Sequence, residues 1–259
     1  MASRLAFWRR EAEDAASDEA HAKPGLLSDF ILGSQDGLVN VLGVILGVAT
    51  AVLAQPIASQ NIKLILAGGL AATFAESISM GAVAYTSTLA RRDHYQSEVE
   101  RERLEMKELP DVEREEVRKV FEEWGYKGQE LEDLTDKIVS NPTAWLEFMM
   151  AHELKLAPVD KTQARRSAVL VGVAAIVGSL IPLIPFLTYG GRATPSEILT
   201  GMVVSMALSA IALFLIGWYK GKATLGRPYR SGTQMLIIGM VSALAGFGIA
   251  YLVGGPPAP

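Results

Sequence analysis

The chain contains no cysteine. Disulfides, iron–sulfur clusters and thiolate metal sites are thereby excluded, although this absence does not by itself identify a compartment. Histidine is nearly as scarce: His21, His94 and His152 are scattered, and their spacing fits no zinc hydrolase motif. No nucleotide-binding loop and no nucleophile–base pair is recognisable, so the protein is not expected to be an enzyme. A formal charge of −4 with no extended basic patch argues against a nucleic-acid partner. The opening segment MASRLAFWRREAEDAASDEAHAKPG lacks the apolar stretch and cleavage site of a signal peptide. It reads instead as a partly helical cytoplasmic arm, residues 1–28, with Leu5, Phe7 and Trp8 available to lie against a membrane.

Charge is also missing from most of the rest. Half of the 259 residues are hydrophobic, and the apolar ones are gathered into five blocks almost free of ions, at 30–54, 64–89, 168–187, 198–219 and 235–253. Each meets or approaches the roughly 20 residues that cross a hydrocarbon core of about 30 Å. The expected fold is therefore all-α, a bundle of five membrane spans. Spans one and two occupy 29–90, spans three to five 167–254, and a short tail follows at 255–259.

The loops set an expected orientation. The connection between spans one and two carries only Lys63, and that between three and four carries Arg192 and Glu197. The connection between four and five carries Lys220, Lys222, Arg227 and Arg230, and the segment between two and three is bounded by Arg91, Arg92, Arg165 and Arg166. The positive-inside rule puts the arm, the 2–3 segment and the 4–5 loop in the cytoplasm, with the tail on the far side.

The segment 91–166 is the only sizeable soluble portion, and it holds 19 of the 28 acidic residues and 14 of the 24 basic ones. From Ala82 to Leu109 neither Pro nor Gly occurs, so the second span is expected to run on as helix to Glu108, a length of about 70 Å. Pro110 stops it. Three further helical patterns follow, opening at Pro110–Asp111, at Gly128 and at Pro142, where proline is allowed in a first turn. The expectation is a small cytoplasmic helical cap.

Carboxylates dominate this cap. Glu98, Glu102 and Glu105 share one face of the long helix by their spacing, Glu113 and Glu116 share a face of the next, and Met149, Met150 and Glu153 gather on the last beside His152. Converging from separate helices, they would make an oxygen-rich cation site that thioether sulfur tilts towards a softer divalent transition metal. The alternative is a solvated face in which Arg101, Arg103, Arg114 and Arg118 pair with these glutamates, with Met149 and Met150 filling the core.

Acids inside the spans are rarer and more telling. Asp36 stands in the first span near Gln35 and Asn40, and Glu76 in the second, one turn before Met80. Ionisable side chains at such depth face a bundle interior or an aqueous path and serve ion or proton relays. Neither apolar block contains a Lys, Arg or His to pair with them, which favours a mobile cation. Gly33/Gly37 and Gly43/Gly47 are two small-residue pairs that would let another helix approach, within the chain or across a dimer. Pro182 and Pro185 should kink the third span or end it early.

Three stretches, DGLVNVLGVILGVA in the first span, ISMGAVAYTSTLARRDHYQSEVERE leaving the second and SLIPLIPF in the third, together resemble the vacuolar iron transporter family. The likeness runs from Asp29 to Val253. It implies a homodimeric exporter that moves Fe²⁺, and often Mn²⁺ or other divalent ions such as Co²⁺ and Zn²⁺, out of the cytosol in exchange for protons. No permanently bound cofactor is implied. The path would run at the dimer interface between the first two spans, with Asp36 and Met80 as ligands and Asn40 nearby. Glu102, Glu105, Glu113, Glu116, Met149, Met150 and Glu153 would collect metal in the cap, with Glu98 as a possible addition. Plant-type members carry a glutamate where this chain has Ala72; here the acid is Glu76, one turn later. The lack of a plant-like targeting extension favours a prokaryotic inner membrane over a vacuolar one. Two rivals stay open: a membrane-anchored iron or manganese buffer or sensor, and a carrier of other solutes whose cap only dimerises.

Overall fold

A computed structural model describes residues 24–54, 62–189, 193–224 and 226–254. The arm up to residue 23 and the tail at 255–259 lie outside the described residues. Among those described there are eight α-helices, one π-helical turn and no strand. The helices are α1 (Pro24–Leu53), α2 (Ile62–Glu108), α3 (Pro110–Glu123), α4 (Gly128–Val139), α5 (Pro142–Phe148), α6 (Lys161–Leu187), α7 (Pro195–Ala223) and α8 (Pro228–Gly254), with the π turn at Met149–Glu153 between α5 and α6. Five of them, α1, α2, α6, α7 and α8, are long and apolar enough to cross a membrane. The protein is a multi-pass membrane protein.

The chain forms two compact units, one from Met1–Met80 with Leu170–Pro259 and one from Gly81–Val169. In the first unit α1 is the most enclosed span and α8 the most exposed. Leu38, Leu42, Ile45 and Leu46 of α1 are buried among Leu183 and Phe186 of α6 and Ile198 and Leu213 of α7. Large apolar side chains such as Val203, Ile211, Ile237 and Ile249 stay exposed. In water they would form an aggregating patch; around a membrane bundle they meet acyl chains.

Glycine sets the distance between α1 and α6. A Cβ at Gly33 would run into the Val171 carbonyl, one at Gly37 into the Ala175 carbonyl, and one at Gly178 into the Ser34 carbonyl. The Gly33/Gly37 pair therefore serves packing within the chain. Gly47 packs similarly on Ala250, whereas Gly43 leaves ordinary van der Waals room to Ala243. Several hydroxyls in the bundle turn back on their own helices, as Ser34 does to the Phe30 carbonyl (2.7 Å) and Thr50 to that of Leu46 (2.8 Å).

Pro182 and Pro185 do not end the third span early, since α6 continues to Leu187. The buried Ser205 hydroxyl of α7 donates to the Pro182 carbonyl at 2.7 Å, and the Thr188 hydroxyl donates to that of Pro185 at 2.7 Å. The first of these bonds ties α7 to α6 beside its proline pair, and the second closes the last turn of α6.

In the second unit the expected helix starts appear in place. Pro110 and Pro142 occupy first turns, and the Asn141 side chain accepts from Thr143 and Ala144 N–H at 3.0 and 3.3 Å. Gly125 (φ +97°) supplies the left-handed turn that separates α3 from α4. Val117, Phe121, Leu131, Trp145, Phe148 and Met149 form the core. Arg114 bridges α3 to Glu132 (2.7 Å) and Asp136 (2.9 Å) of α4, and Arg118 reaches Glu132 at 3.0 Å. Arg114 is thus committed to α4, and Arg118 is shared between α4 and Glu115 and Glu122 of its own helix.

Candidate functional site

In the first unit Asp36 and Asn40, one turn apart on α1, meet Glu76 of α2. The Glu76 carboxyl lies in hydrogen-bonding reach of the Asp36 carboxyl and the Asn40 amide. Asp36, Glu76 and Met80 are half-buried and Asn40 is exposed. Asn40 also heads an open cleft of about 600 Å³ that continues past Gly43 and Gly47 to Gly246 and Ala250 of α8. Helical spacing puts Met80 one turn beyond Glu76 on the same face. The two acids predicted separately from two spans are therefore neighbours. No basic residue occupies 26–54 or 64–89, so neither span supplies them with a counter-charge.

The second unit holds a larger acidic group. Glu102 of α2 is 1% exposed and Glu113 of α3 is 4% exposed. The two carboxyls are in hydrogen-bonding reach of one another, and each leaves its Oε2 buried without a partner. Buried carboxyls normally find donors, so this facing pair needs a shared proton or an added cation. Burial first, then the charges of Glu153 and Glu105, pushes Glu102 from its ordinary 4.5 up to about 7. Burial followed by Glu116 and Glu102 pushes Glu113 up to about 8. Glu153, at the exposed edge, is also raised, by partial burial of its carboxyl and by Glu116.

Arg101 is the cation within this group. It reaches Glu98 at 3.0 Å, Glu105 at 3.5 Å and Glu102 at 3.9 Å. The expected alternative of a fully paired surface therefore holds on one side only: Arg114 and Arg118 turn to α4, while Glu102 and Glu113 are buried facing each other. Among the described residues no three His, Asp or Glu side chains already stand in a metal-holding arrangement. An ion held there would have to draw the carboxylates inward.

The two methionines differ. Met149 is completely buried in the apolar core, as the filler alternative held, whereas Met150, 3% exposed, is buried outside that cluster. Both begin the π turn, where the Leu154 N–H bonds to the Met149 carbonyl at 3.1 Å and the Leu156 N–H to that of Met150 at 2.8 Å. Such widened turns recur at functional sites because they rotate side chains off helical register. Nothing in the spacing of MMAHE announces one. His152, adjacent in sequence, packs edge-on to Trp124 (ring centroids 5.0 Å) and against Phe148 (4.7 Å), so it belongs to the aromatic cluster.

The family model for the VIT family matches residues 27–251. The chain belongs to the VIT family. Relatives include "Vacuolar iron transporter 1" of Oryza sativa subsp. japonica, 32% identical over 93% of this chain and 94% of that protein. "Vacuolar iron transporter 2" of the same organism is 35% identical over 91% of both chains. "Vacuolar iron transporter" of Plasmodium falciparum (isolate 3D7) is 26% identical over 85% of this chain and 80% of that protein. The VIT family match spans both units, and so takes in both acidic groups.

Proposed function

We propose that this VIT family member is a proton-coupled exporter of Fe²⁺, and of Mn²⁺ or other divalent transition metals, from the cytosol. The observation that carries this reading is the meeting of Asp36, Asn40 and Glu76 between two spans that contain no basic residue. Two facing carboxylates at membrane depth need a positive charge between them, a proton or a metal ion. Exchange of one for the other at that point is antiport. Met80, one turn away, adds a thioether that favours a transition metal over Mg²⁺.

The second unit acts as a cytoplasmic cap that captures the ion. Glu102, Glu113, Glu105, Glu116 and Glu153 supply oxygens and Met150 a sulfur, while Met149 fills the adjoining core and Glu98 is held back by Arg101. A homodimer, with its path between the first two spans of each copy, agrees with Asn40 opening on an exposed cleft. The N-terminus is assigned to the cytoplasm, the C-terminus to the far side, and the membrane to a prokaryotic inner membrane. The relatives are named for iron and for vacuoles, so the choice of membrane rests on the sequence alone.

A buffer or sensor would need only the cap, and leaves the acids within the spans without a purpose. The deciding experiment is metal uptake into proteoliposomes across an imposed pH gradient, comparing Fe²⁺, Mn²⁺, Co²⁺ and Zn²⁺. Gradient-dependent uptake with matching proton flux is the expected result. Metal binding without uptake would make the protein a buffer.

A further inference from the structure

The ends of α1, α7 and α8 that share one membrane face carry a feature the transport reading does not use. A cleft of about 450 Å³ runs between the first turns of α1 and the last turn of α7, lined by Ser28, Ile31 and Gln35 on one wall and Lys220 and Thr224 on the other. A second, of about 830 Å³ and almost wholly apolar, lies beside it between Leu26, Phe30, Leu215 and Tyr219. Leu27 lines both.

Among the described residues, Lys220 is the one charged side chain that lines either cleft. Lys220 lines the first cleft, and Lys222, Arg227 and Arg230 follow within the same short connection. Its geometry is tightly held. A Cβ at Gly221 would meet the Pro228 backbone at 2.7 Å, and one at Gly217 would meet the Ser231 carbonyl at 2.7 Å, so α7 and α8 are pressed together just where the cations emerge. Lys222 lies 5.3 Å from the Trp218 ring centre, which ties it back to an interfacial aromatic. Asp29, the nearby acid, lines neither cleft. Leu26, Leu32, Leu215 and Tyr219 are about half exposed on the outer surface, so the clefts open sideways to lipid.

We propose that this junction holds one anionic diacyl phospholipid, its phosphate at the Lys220 ammonium beside the Ser28 hydroxyl and its two acyl chains on either side of Leu27. Basic pockets between span ends select anionic headgroups, and paired apolar clefts accept the two chains that a free phosphate lacks. The inference needs only the five spans. It stands whether or not the chain moves metal.

Native mass spectrometry of the full chain in mild detergent tests it, titrated separately with dioleoyl phosphatidylglycerol, dioleoyl phosphatidylcholine and glycerol 3-phosphate. One phosphatidylglycerol per chain should be retained at least fivefold more than phosphatidylcholine, with no glycerol 3-phosphate adduct. Lys220→Gln, at an exposed side chain, should bring phosphatidylglycerol down to the phosphatidylcholine level, whereas Lys63→Gln at the start of α2 should change nothing. Ile31→Trp, which fills the first cleft, should lower retention of both lipids. Equal retention of the two lipids, or full retention by Lys220→Gln, overturns the proposal. It is also overturned if glycerol 3-phosphate binds alone, or if phosphatidylglycerol binds only after removal of residues 1–23, which would make the arm the occupant.

Discussion

Glu102 of α2 and Glu113 of α3 face each other inside the second unit, and each keeps one carboxyl oxygen buried with no hydrogen-bond partner. Arg114, next to Glu113 in sequence, turns to Glu132 and Asp136 instead. The pair is therefore held in a state that only a proton or an added cation can relieve.

The metal-free protein should lose stability as pH rises. In the unfolded chain both acids titrate at the ordinary 4.5, whereas folding raises Glu102 to about 7 and Glu113 to about 8. Between those limits the folded state keeps protons that the unfolded state has released. The associated stability is complete below pH 4.5 and lost as pH passes 7 and then 8, at up to about 1.4 kcal/mol per pH unit for each group. Tryptophan-detected melting of the full chain in detergent from pH 5 to 9 should show a falling Tm, flattened in Glu102→Gln/Glu113→Gln. Adding Mn²⁺ at pH 8 should restore the wild-type Tm but not that of the double variant. A flat wild-type profile would mean that these carboxyls titrate normally.

The two methionines should separate. Met149 fills the apolar core completely, so Met149→Leu is a volume-conserving swap that costs less than about 1.5 kcal/mol. Met150 is buried outside that core, within the turn that carries Glu153. Met150→Leu should weaken Co²⁺ binding about tenfold by isothermal titration and leave Mg²⁺ binding unchanged. Met149→Leu should weaken Co²⁺ by less than threefold. Equal losses would place both sulfurs on the ion.

Much of this was legible in advance, for reasons that can be named. Hydrocarbon thickness dictates span length, so five apolar blocks read directly as α1, α2, α6, α7 and α8. Pro110 and Pro142 act locally on the backbone, and the helix starts of the second unit follow them, whereas the Asn141 cap appears only in the structure. Partnership between helices is not local. Spacing shows that Glu98, Glu102 and Glu105 share a face, but not that Glu102 alone would be sealed against Glu113 while Arg101 keeps the other two. Nor could it show that Gly33/Gly37 meets the α6 backbone, or that MMAHE winds as a π turn, since both depend on what packs opposite.

Gly37→Ala and Gly43→Ala, two turns apart on one helix, should behave differently. A Cβ at Gly37 collides with the Ala175 carbonyl and comes within 2.6 Å of the Ser179 hydroxyl, both fixed in α6. At Gly43 the nearest atom, the Ala243 carbonyl oxygen, is 3.6 Å away. Overpacking against backbone costs about 1–3 kcal/mol or more, so Gly37→Ala should lower the Tm in detergent by several degrees and broaden the size-exclusion peak. Gly43→Ala should match wild type within a degree.

The last prediction concerns the paired acids in the spans. If Asp36 and Glu76 hold one passing cation between them, removing either leaves a single carboxylate that neither binds the ion nor passes the proton. Asp36→Asn and Glu76→Gln should each reduce pH-driven Mn²⁺ uptake into proteoliposomes at least tenfold, and the double variant should be no worse, because groups that act as a unit are not additive. Metal binding at the second unit, read by titration on the same samples, should be unchanged, which separates a blocked path from a failed capture. Multiplicative losses in the double variant would show two independent sites along the path, and undiminished uptake in both single variants would remove these acids from it altogether.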